Sequence, residues 1–327
     1  MNWKDKIVLV TGGTGSFGQK FIEQMLLKYK PKAIRIFSRD ELKQWEMEKK
    51  FNDSRKLRFF IGDIRDKGRL ERAMEGADII VHAAALKQVP LCEYNPFEAV
   101  KTNVLGAQNV IDAALDQNVE RVMAISSDKA VNPVNLYGAT KMCMEKLFIA
   151  ANAYVGEKRR TKMSCARYGN VLGSRGSIIP LFREQSRKGT ITVTDKRMTR
   201  FWLTLEQGIE FVANAIEVMR GGEVFVPKIP SMKIVDLAEV VAPRCAIKHI
   251  GIRPGEKIHE CLLTEDESRH SIEMKNYYVI EPEHYWWGDD GKSSYNGRSL
   301  PDNFKYASDK NKEWLTKKQL QMMIKGF

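Results

Sequence analysis

The sequence predicts an α/β protein, a doubly wound parallel sheet with a smaller lobe over the carboxyl ends of its strands. Three observations carry that expectation. Residues 6–10 (K-I-V-L-V) form a short apolar run of β type that passes straight into T-G-G-T-G-S-F-G and then into an amphipathic stretch at 19–27. Strand-type and helix-type stretches then alternate as far as Arg167, the pattern that builds parallel βαβ units. Beyond Arg167 that regular alternation breaks.

Composition narrows the function classes. The 327 residues suffice for one large domain or two unequal ones, and 43% hydrophobic content is ordinary for a globular chain. No apolar run approaches the ~20 residues needed to span a bilayer. The start, M-N-W-K-D-K-I-V-L-V, lacks the long apolar segment and cleavage site of a signal peptide. Five scattered cysteines without C-x-x-C spacing suit a reduced compartment. A cytoplasmic protein with no metal site and no membrane partner is therefore expected. The net charge of +12 would suit nucleic acid, an anionic surface or small anionic ligands. Its basic residues are interleaved with acids, as in K-Q-W-E-M-E-K-K, and the longest purely basic run is Lys158-Arg159-Arg160. A solvated surface that also attracts phosphate-bearing ligands accounts for this, so nucleic acid is not expected as a partner.

Gly12, Gly15 and Gly18 form G-x-x-G-x-x-G between a strand and a helix, the context in which glycines signal dinucleotide binding. They permit a tight turn and close backbone approach, and the helix start, with Ser16 and Phe17, offers N–H groups to a pyrophosphate. The second strand, 33–37, ends in Ser38-Arg39-Asp40. An arginine here accommodates a 2′-phosphate and an acid holds a ribose hydroxyl, so Ser38 and Arg39 favour NADP while Asp40 keeps NAD open. The third strand, Leu57–Ile61, leads to Asp63 and Ile64, expected near the adenine. The fourth, 77–81, runs into H-A-A-A-L-K-Q-V-P, where the small Ala83 and Ala85 let the cofactor approach the backbone. His82 reads as a packed or capping residue. Lys87 follows on the side where a substrate would lie.

Asn95-Pro96 is expected to start one long helix, with Phe97, Val100, Val104, Ala107, Val110, Ile111 and Ala114 at helical spacing. Thr102 and Asn103 interrupt that stripe with polar groups that can face the cofactor. The fifth strand, Arg121–Ile125, delivers S-S-D-K, and a helix from Tyr137 continues through Met144, Leu147, Phe148 and Ala151. Apolar surface left over on both helices suggests a homo-oligomer, a dimer or higher. A sixth strand at 163–167 precedes Y-G-N-V-L-G-S-R-G-S. Residues 174–200 then read as a basic loop, 201–219 as helix, 223–226 as a short strand and 232–241 as another helix. From Ile250 the chain reads as polar loop containing G-I-R-P-G-E-K and Trp286-Trp287. The expected division is a nucleotide-binding domain of 1–171 and 201–250, and a substrate lobe of 172–200 and 251–327.

The chemistry is expected in 125–146. Tyr137 and Lys141 stand four apart in Y-G-A-T-K, one helical turn, so both side chains share a face. An ammonium near a phenol favours the phenolate and would let the tyrosine move a proton near neutral pH. Ser127, Asp128 and Lys129 converge on the same place from the end of the fifth strand.

The T-G-G-T-G-S-F-G, S-S-D-K and Y-G-A-T-K motifs together resemble an extended short-chain dehydrogenase/reductase. L-K-Q-V-P, N-P-V-N-L-Y-G-A-T-K, R-Y-G-N-V-L-G-S-R-G-S-I-I-P, R-M-T-R-F-W, P-K-I-P-S-M-K and R-P-G-E-K-I-H-E extend the likeness across nearly the whole chain. They resemble the inverting UDP-N-acetylglucosamine 4,6-dehydratases, which open the route to pseudaminic acid, a sugar placed on flagellin and other surface structures. The resemblance implies a Rossmann fold, NADP, and oxidation at sugar C4 followed by loss of water across C5 and C6. It implies that Tyr137, Lys141 and Ser127 act at the C4 hydroxyl and that Lys129 and Asp128 serve as base and acid for the elimination. Retaining relatives typically carry Asp-Glu at this place and simple 4-epimerases lack the acid, so Asp-Lys implies inversion at C5. Lys129 would then be neutral part of the time, which a partly dry pocket can bring about. Lys141 and Tyr137 are also expected on the nicotinamide side, with Val171. Lys87, Asn170, Arg200, Arg253 and Glu256 are expected to hold the UDP-sugar, guanidinium groups being suited to diphosphate oxygens.

Overall fold

The computed structural model describes residues 1–52, 54–155, 161–173, 177–283 and 295–325. Lys158-Arg159-Arg160, Ser174 to Gly176 of the glycine-rich motif, and Trp286-Trp287 lie outside the described residues. The alternating part of the sequence folds as β1 (Ile7–Thr11), α1 (Ser16–Gln24), β2 (Ala33–Ser38), α2 (Glu41–Lys50), β3 (Leu57–Ile61), α3 (Lys67–Met74) and β4 (Ile79–His82). It continues through α4 (Val89–Tyr94), α5 (Pro96–Val100), α6 (Gly106–Asp116), β5 (Arg121–Ile125), α7 (Leu136–Ala150) and β6 (Lys162–Ala166). These six strands lie in the order β3-β2-β1-β4-β5-β6, all parallel, followed by a seventh parallel strand, Val224–Pro227. Val8, Leu9, Val10, Ile79, Ile80, Val81, Val122 and Met123 are wholly buried. The central strands are covered by helices on both faces, which is why they read as continuous apolar runs and not as alternating ones. All seven carboxyl ends open on one edge, where this fold binds ligands.

The helix expected from Asn95-Pro96 has a fault in it. Between α5 and α6 the chain makes one wide π turn, Lys101–Leu105. That turn rotates the buried face, leaving Phe97 61% exposed while Thr102 and Asn103 turn inward. Asn103 then holds the backbone N–H and carbonyl of Leu86 at 2.8 and 2.9 Å and reaches the Thr140 hydroxyl at 3.0 Å. The polar interruption seen in the sequence thus ties the loop after β4 to α7. The short helix α4, with Pro90 in its first turn, has no counterpart in the sequence reading.

The second half departs further from expectation. Residues 174–200 are not simply loop, because Ile178–Ser186 is a helix and Thr190–Val193 and Thr199–Leu203 are strands. The helix expected over 201–219 starts only at Leu205, behind a Thr204–Gln207 capping box, since Phe201, Trp202 and Leu203 belong to a strand. Each of these strands finds its partner far along the chain, at Ala246–His249 and Ser231–Lys233, which local periodicity cannot show. They surround a second core that includes Leu172, Phe182, Trp202 and Leu237. Residues Ser271–Glu273 and Tyr277–Ile280, expected in the lobe, extend the main sheet instead, with Tyr277–Ile280 antiparallel to Val224–Pro227.

One buried charge cluster joins the two halves. Arg167, just after β6, forks onto Glu145 of α7 at 2.7 and 3.0 Å and onto Glu267 at 2.8 and 3.1 Å, and also donates to the Leu262 carbonyl. Removing the guanidinium would leave two carboxylates uncompensated. Arg167→Ala should therefore lose about 3–5 kcal/mol of stability, read from urea unfolding; a loss below about 1 kcal/mol would show that the cluster holds nothing together.

Candidate active site

The carboxyl edge carries two adjoining cavities. The larger, of about 840 Å³, lies over β1, β2, β4 and β5 and is lined by Gly12, Gly15, Ser16, Phe17, Gly18, Ser38, Arg39, Asp63, Ile64, Ala83, Ala85, Lys87, Thr102, Tyr137, Lys141 and Val171. The residues expected to face a dinucleotide are in that wall except Asn103, which is turned onto Leu86 and Thr140 instead. The smaller, of about 570 Å³, is lined by Arg200, Arg253 and Glu256, with Asn170 and Lys129 shared between the two. The expected substrate residues therefore meet at the mouth of the expected cofactor cleft, Lys87 from the larger cavity's side.

The glycine turn has the room that a dinucleotide needs. Gly12 has φ +66°, and a Cβ there would stand 2.9 Å from the Ala84 backbone. A Cβ on Gly18 would stand 2.5 Å from Gly13, so α1 starts hard against the turn with its N-terminus over the cleft. At the tip of β2, Asp40 accepts from the Lys43 backbone at 3.0 Å and pairs with the Lys43 side chain, capping α2. Its carboxylate is thereby engaged with the helix. Arg39 is exposed in the cleft wall, 3.5 Å from Asp63, which Arg65 also holds at 2.7 Å. His82 is the packed residue the sequence suggests. It is buried against Thr11 at 2.8 Å, and burial, then Lys141, push it down to about 3.

The S-S-D-K turn lies where the two cavities meet. Asp128 is wholly buried, its backbone N–H on the Tyr168 carbonyl at 3.1 Å. One carboxylate oxygen accepts from Ser127 and from the Lys129 ammonium, both at 2.9 Å, and the other has no partner among the described residues. Lys129 is also 3.8 Å from Glu260. Burial works against the Lys129 charge, but Asp128 and Glu260 outweigh it and lift its pKa above the ordinary value. The expectation of a partly neutral Lys129 in a dry pocket is corrected on this point, because the pocket supplies two carboxylates.

The phenol is corrected too. Lys141 is buried and donates to the Ile125 carbonyl at 2.6 Å and to the Met144 sulfur, so its ammonium is directed at the end of β5. Burial raises the Tyr137 pKa, and the opposing pull comes from Lys129 and from a hydrogen bond with Ser127. Lys129, not Lys141, is the cation that favours the phenolate.

Local sequence explains how these groups come together. Asn135 caps α7 by accepting from Gly138 N–H at 2.8 Å, and its amide donates to the Gly255 carbonyl at 2.8 Å. A Cβ on Gly138 would collide with the Lys129 carbonyl oxygen. Y-G-A-T-K therefore carries a packing requirement at its second position as well as two reactive groups. Arg200 donates to the carbonyls of Thr199, Lys257 and Ile258, and Arg253 pairs with Glu256 at 2.8 Å. The sequence reading missed Glu260 and Lys257, which approach each other at 3.7 Å beside Lys129 and Arg200. Both stand inside R-P-G-E-K-I-H-E, but nothing local marks Glu260 as buried.

The family described as "Polysaccharide biosynthesis protein" matches residues 8–282. The chain belongs to that family. Over 326 residues it is 51% identical to the UDP-N-acetylglucosamine 4,6-dehydratase (inverting) of Campylobacter jejuni, covering 98% of this chain and 97% of that protein. It is 45% identical over 284 residues to the UDP-glucose 4-epimerase of Rickettsia prowazekii, covering 84% and 83% of the two chains. The X-ray structure of Pen from Bacillus thuringiensis superposes with a TM-score of 0.89 at 40% identity, covering 100% of this chain and 98% of that one. The resemblance carried by the motifs thus holds over the whole length of this family member.

Burial lowers the Lys141 ammonium to about 8. It is therefore charged at pH 7 and loses its proton as pH rises through that value, well below the ordinary lysine range near ~10.4. ¹⁵N-lysine NMR should show one Nζ titrating near pH 8 that is missing in Lys141→Arg; its absence from the native protein would overturn the assignment.

Proposed function

We propose that the protein is a UDP-N-acetylglucosamine 4,6-dehydratase that inverts C5, an NADP-dependent hydro-lyase giving UDP-2-acetamido-2,6-dideoxy-β-L-arabino-hex-4-ulose. The observation that carries this reading is the pair formed by buried Asp128 and part-buried Lys129, hydrogen-bonded at 2.9 Å where the two cavities meet. The full-length identity to the inverting dehydratase supports it. Simple redox at C4 needs a tyrosine and its helpers; loss of water needs an acid and a base besides.

When bound, the nicotinamide supplies hydride acceptance from C4 and hydride return to C6. The protein's residues do the rest. Gly12, Gly15 and Gly18, with the start of α1, hold the pyrophosphate. Ser38 and the exposed Arg39 receive the 2′-phosphate, a choice favoured by the engagement of Asp40 with α2. Tyr137 takes the C4 hydroxyl proton while Ser127 orients that oxygen, and Lys141 holds the nicotinamide ribose. A proton passing along the Lys129–Asp128 hydrogen bond leaves a neutral amine and a carboxylic acid. The amine takes the C5 proton, the acid protonates the departing C6 hydroxyl, and both groups return to their starting charge. Lys87, Lys129, Arg200 and Lys257 stand against Asp128 and Glu260, an excess of positive charge suited to a diphosphate. Asn170, Arg253 and Glu256 complete the UDP-sugar contacts.

In this reading the enzyme works in the cytoplasm at the first step towards pseudaminic acid for flagellin and surface glycosylation, with neither nucleic acid nor membrane as partner. Among the described residues no helix is long and apolar enough to cross a membrane. A homo-oligomer is supported by the exposed Leu91, Tyr94, Phe97, Leu105 and Met142 on neighbouring helices. The second reading is 4-epimerisation, supported by the relative named for it, and it needs Tyr137 but no elimination pair.

Incubation with UDP-N-acetylglucosamine in deuterated water separates the two. NMR should show a 4-keto-6-deoxy product with deuterium at C5 and the L-arabino configuration; a 4-epimer alone would establish the second reading, and retention at C5 would remove the inverting assignment. Lys129→Ala should lower turnover by roughly 10²–10⁴-fold with NADP affinity intact. Arg39→Ala should weaken NADP selectively over NAD, by about 1.5–3 kcal/mol for a lost charged hydrogen bond, measured by calorimetric titration.

A further inference from the structure

We infer that Glu260 is a positioning residue for the elimination pair: it holds Lys129 between two carboxylates and ties it to Arg200 on the diphosphate side. The inference rests on the dehydratase reading. Glu260 is 3% exposed and fixed at both ends of its peptide unit, its N–H on the Ser308 hydroxyl at 2.9 Å and its carbonyl accepting from Ser308 N–H at 2.8 Å. One carboxylate oxygen lies 3.8 Å from the Lys129 ammonium and 3.5 Å from the Arg200 guanidinium. The other lies 3.7 Å from Lys257 and has no hydrogen-bond partner among the described residues. A buried carboxylate facing three cations at these distances acts by charge more than by directed hydrogen bonds, so an amide of the same shape cannot replace it.

The surrounding charges define its effect. Lys129 is faced by Asp128 from its own turn, Tyr137 from α7, Lys87 from the loop after β4, Arg200 from the strand Thr199–Leu203, and Glu260 from the segment before Cys261–Leu263. Lys257, also bound to the Val131 carbonyl at 2.6 Å, faces Glu260 from its other side. Without Glu260, Lys129 would keep one carboxylate partner while three cations surround the pair. Its ammonium would lose its proton more readily, and at higher pH the pair would then hold a base without an acid. Arg200 is held by three carbonyls and cannot follow Lys129, so Glu260 fixes the distance between the elimination pair and the diphosphate site.

The whole protein with NADP is the system for the test. Glu260→Gln should move the alkaline limb of the kcat–pH profile down by about one pH unit, the equivalent of a one-unit fall in the Lys129 pKa, with KM for UDP-N-acetylglucosamine changed less than kcat. Glu260→Asp, which keeps the charge, should restore the native profile. A loss equal at all pH values would mark a merely structural role and overturn the proposal. A second measurement does not need activity. In Asp128→Asn, ¹⁵N-lysine NMR should find Lys129 still protonated at pH 7, and adding Glu260→Gln should lower its midpoint by about one unit or more. A neutral Lys129 in Asp128→Asn, or a midpoint that the second substitution leaves unmoved, overturns the proposal. If the native protein gives no 4-keto product, the dehydratase reading fails, and the Lys129 titration still decides whether Glu260 sets its charge.

Discussion

The site depends on how closely α7 can approach the turn that carries Asp128 and Lys129. That distance is set by an atom that is missing. Gly138 has no Cβ, and any other residue would press on the Lys129 carbonyl oxygen. Because the approach is allowed, Tyr137 reaches Ser127, and the Lys129 ammonium, hydrogen-bonded to Asp128, acts on the phenol by its charge. Asn135 fixes the start of the same helix and holds Gly255, so the loop bearing Arg253 and Glu256 takes its position from α7 as well. One steric allowance places groups from three separate stretches of chain.

Electrostatics then divides the labour among four similar-looking groups. Lys141 is buried, with no carboxylate at hydrogen-bond distance among the described residues, and has a lowered proton affinity, whereas Lys129 is part-buried between two carboxylates and has a raised one. Two lysines within one site are thus driven in opposite directions by their neighbours. Asp128 and Glu260 are both buried carboxylates, but only Asp128 hydrogen-bonds to Lys129, while Glu260 acts at ion-pair distance.

Sequence reading recovered most of the first half of the fold and named residues that line both cavities, though not Lys257 and Glu260 of the smaller one. The reason is physical: β1 to β6 are buried on both faces, and their apolar runs and glycine punctuation are local signals. The reading failed where the signal was not local. Thr199–Leu203 and Tyr277–Ile280 are short strands whose identity comes from partners far along the chain. Glu260 looks like any surface acid in R-P-G-E-K-I-H-E until the fold surrounds it with cations. The π turn at Lys101–Leu105 hid in the same way, though Thr102 and Asn103 had marked the place where the apolar stripe changed face. Proton affinities were the least readable feature, since they depend on distances between side chains that the spacing of Y-x-x-x-K does not encode.

The return of Tyr277–Ile280 to lie beside Val224–Pro227 has a consequence for how the protein can be made and cut. The intervening residues leave one sheet and re-enter it at the adjacent position, so the lobe is stitched to the parallel-sheet half by two neighbouring strands. A ribosome must extrude the second stitch before the sheet is whole, and Arg200, Arg253 and Glu260 therefore reach their places late in synthesis. For the same reason a single protease nick within the lobe leaves two fragments that share a hydrogen-bonded sheet and remain together.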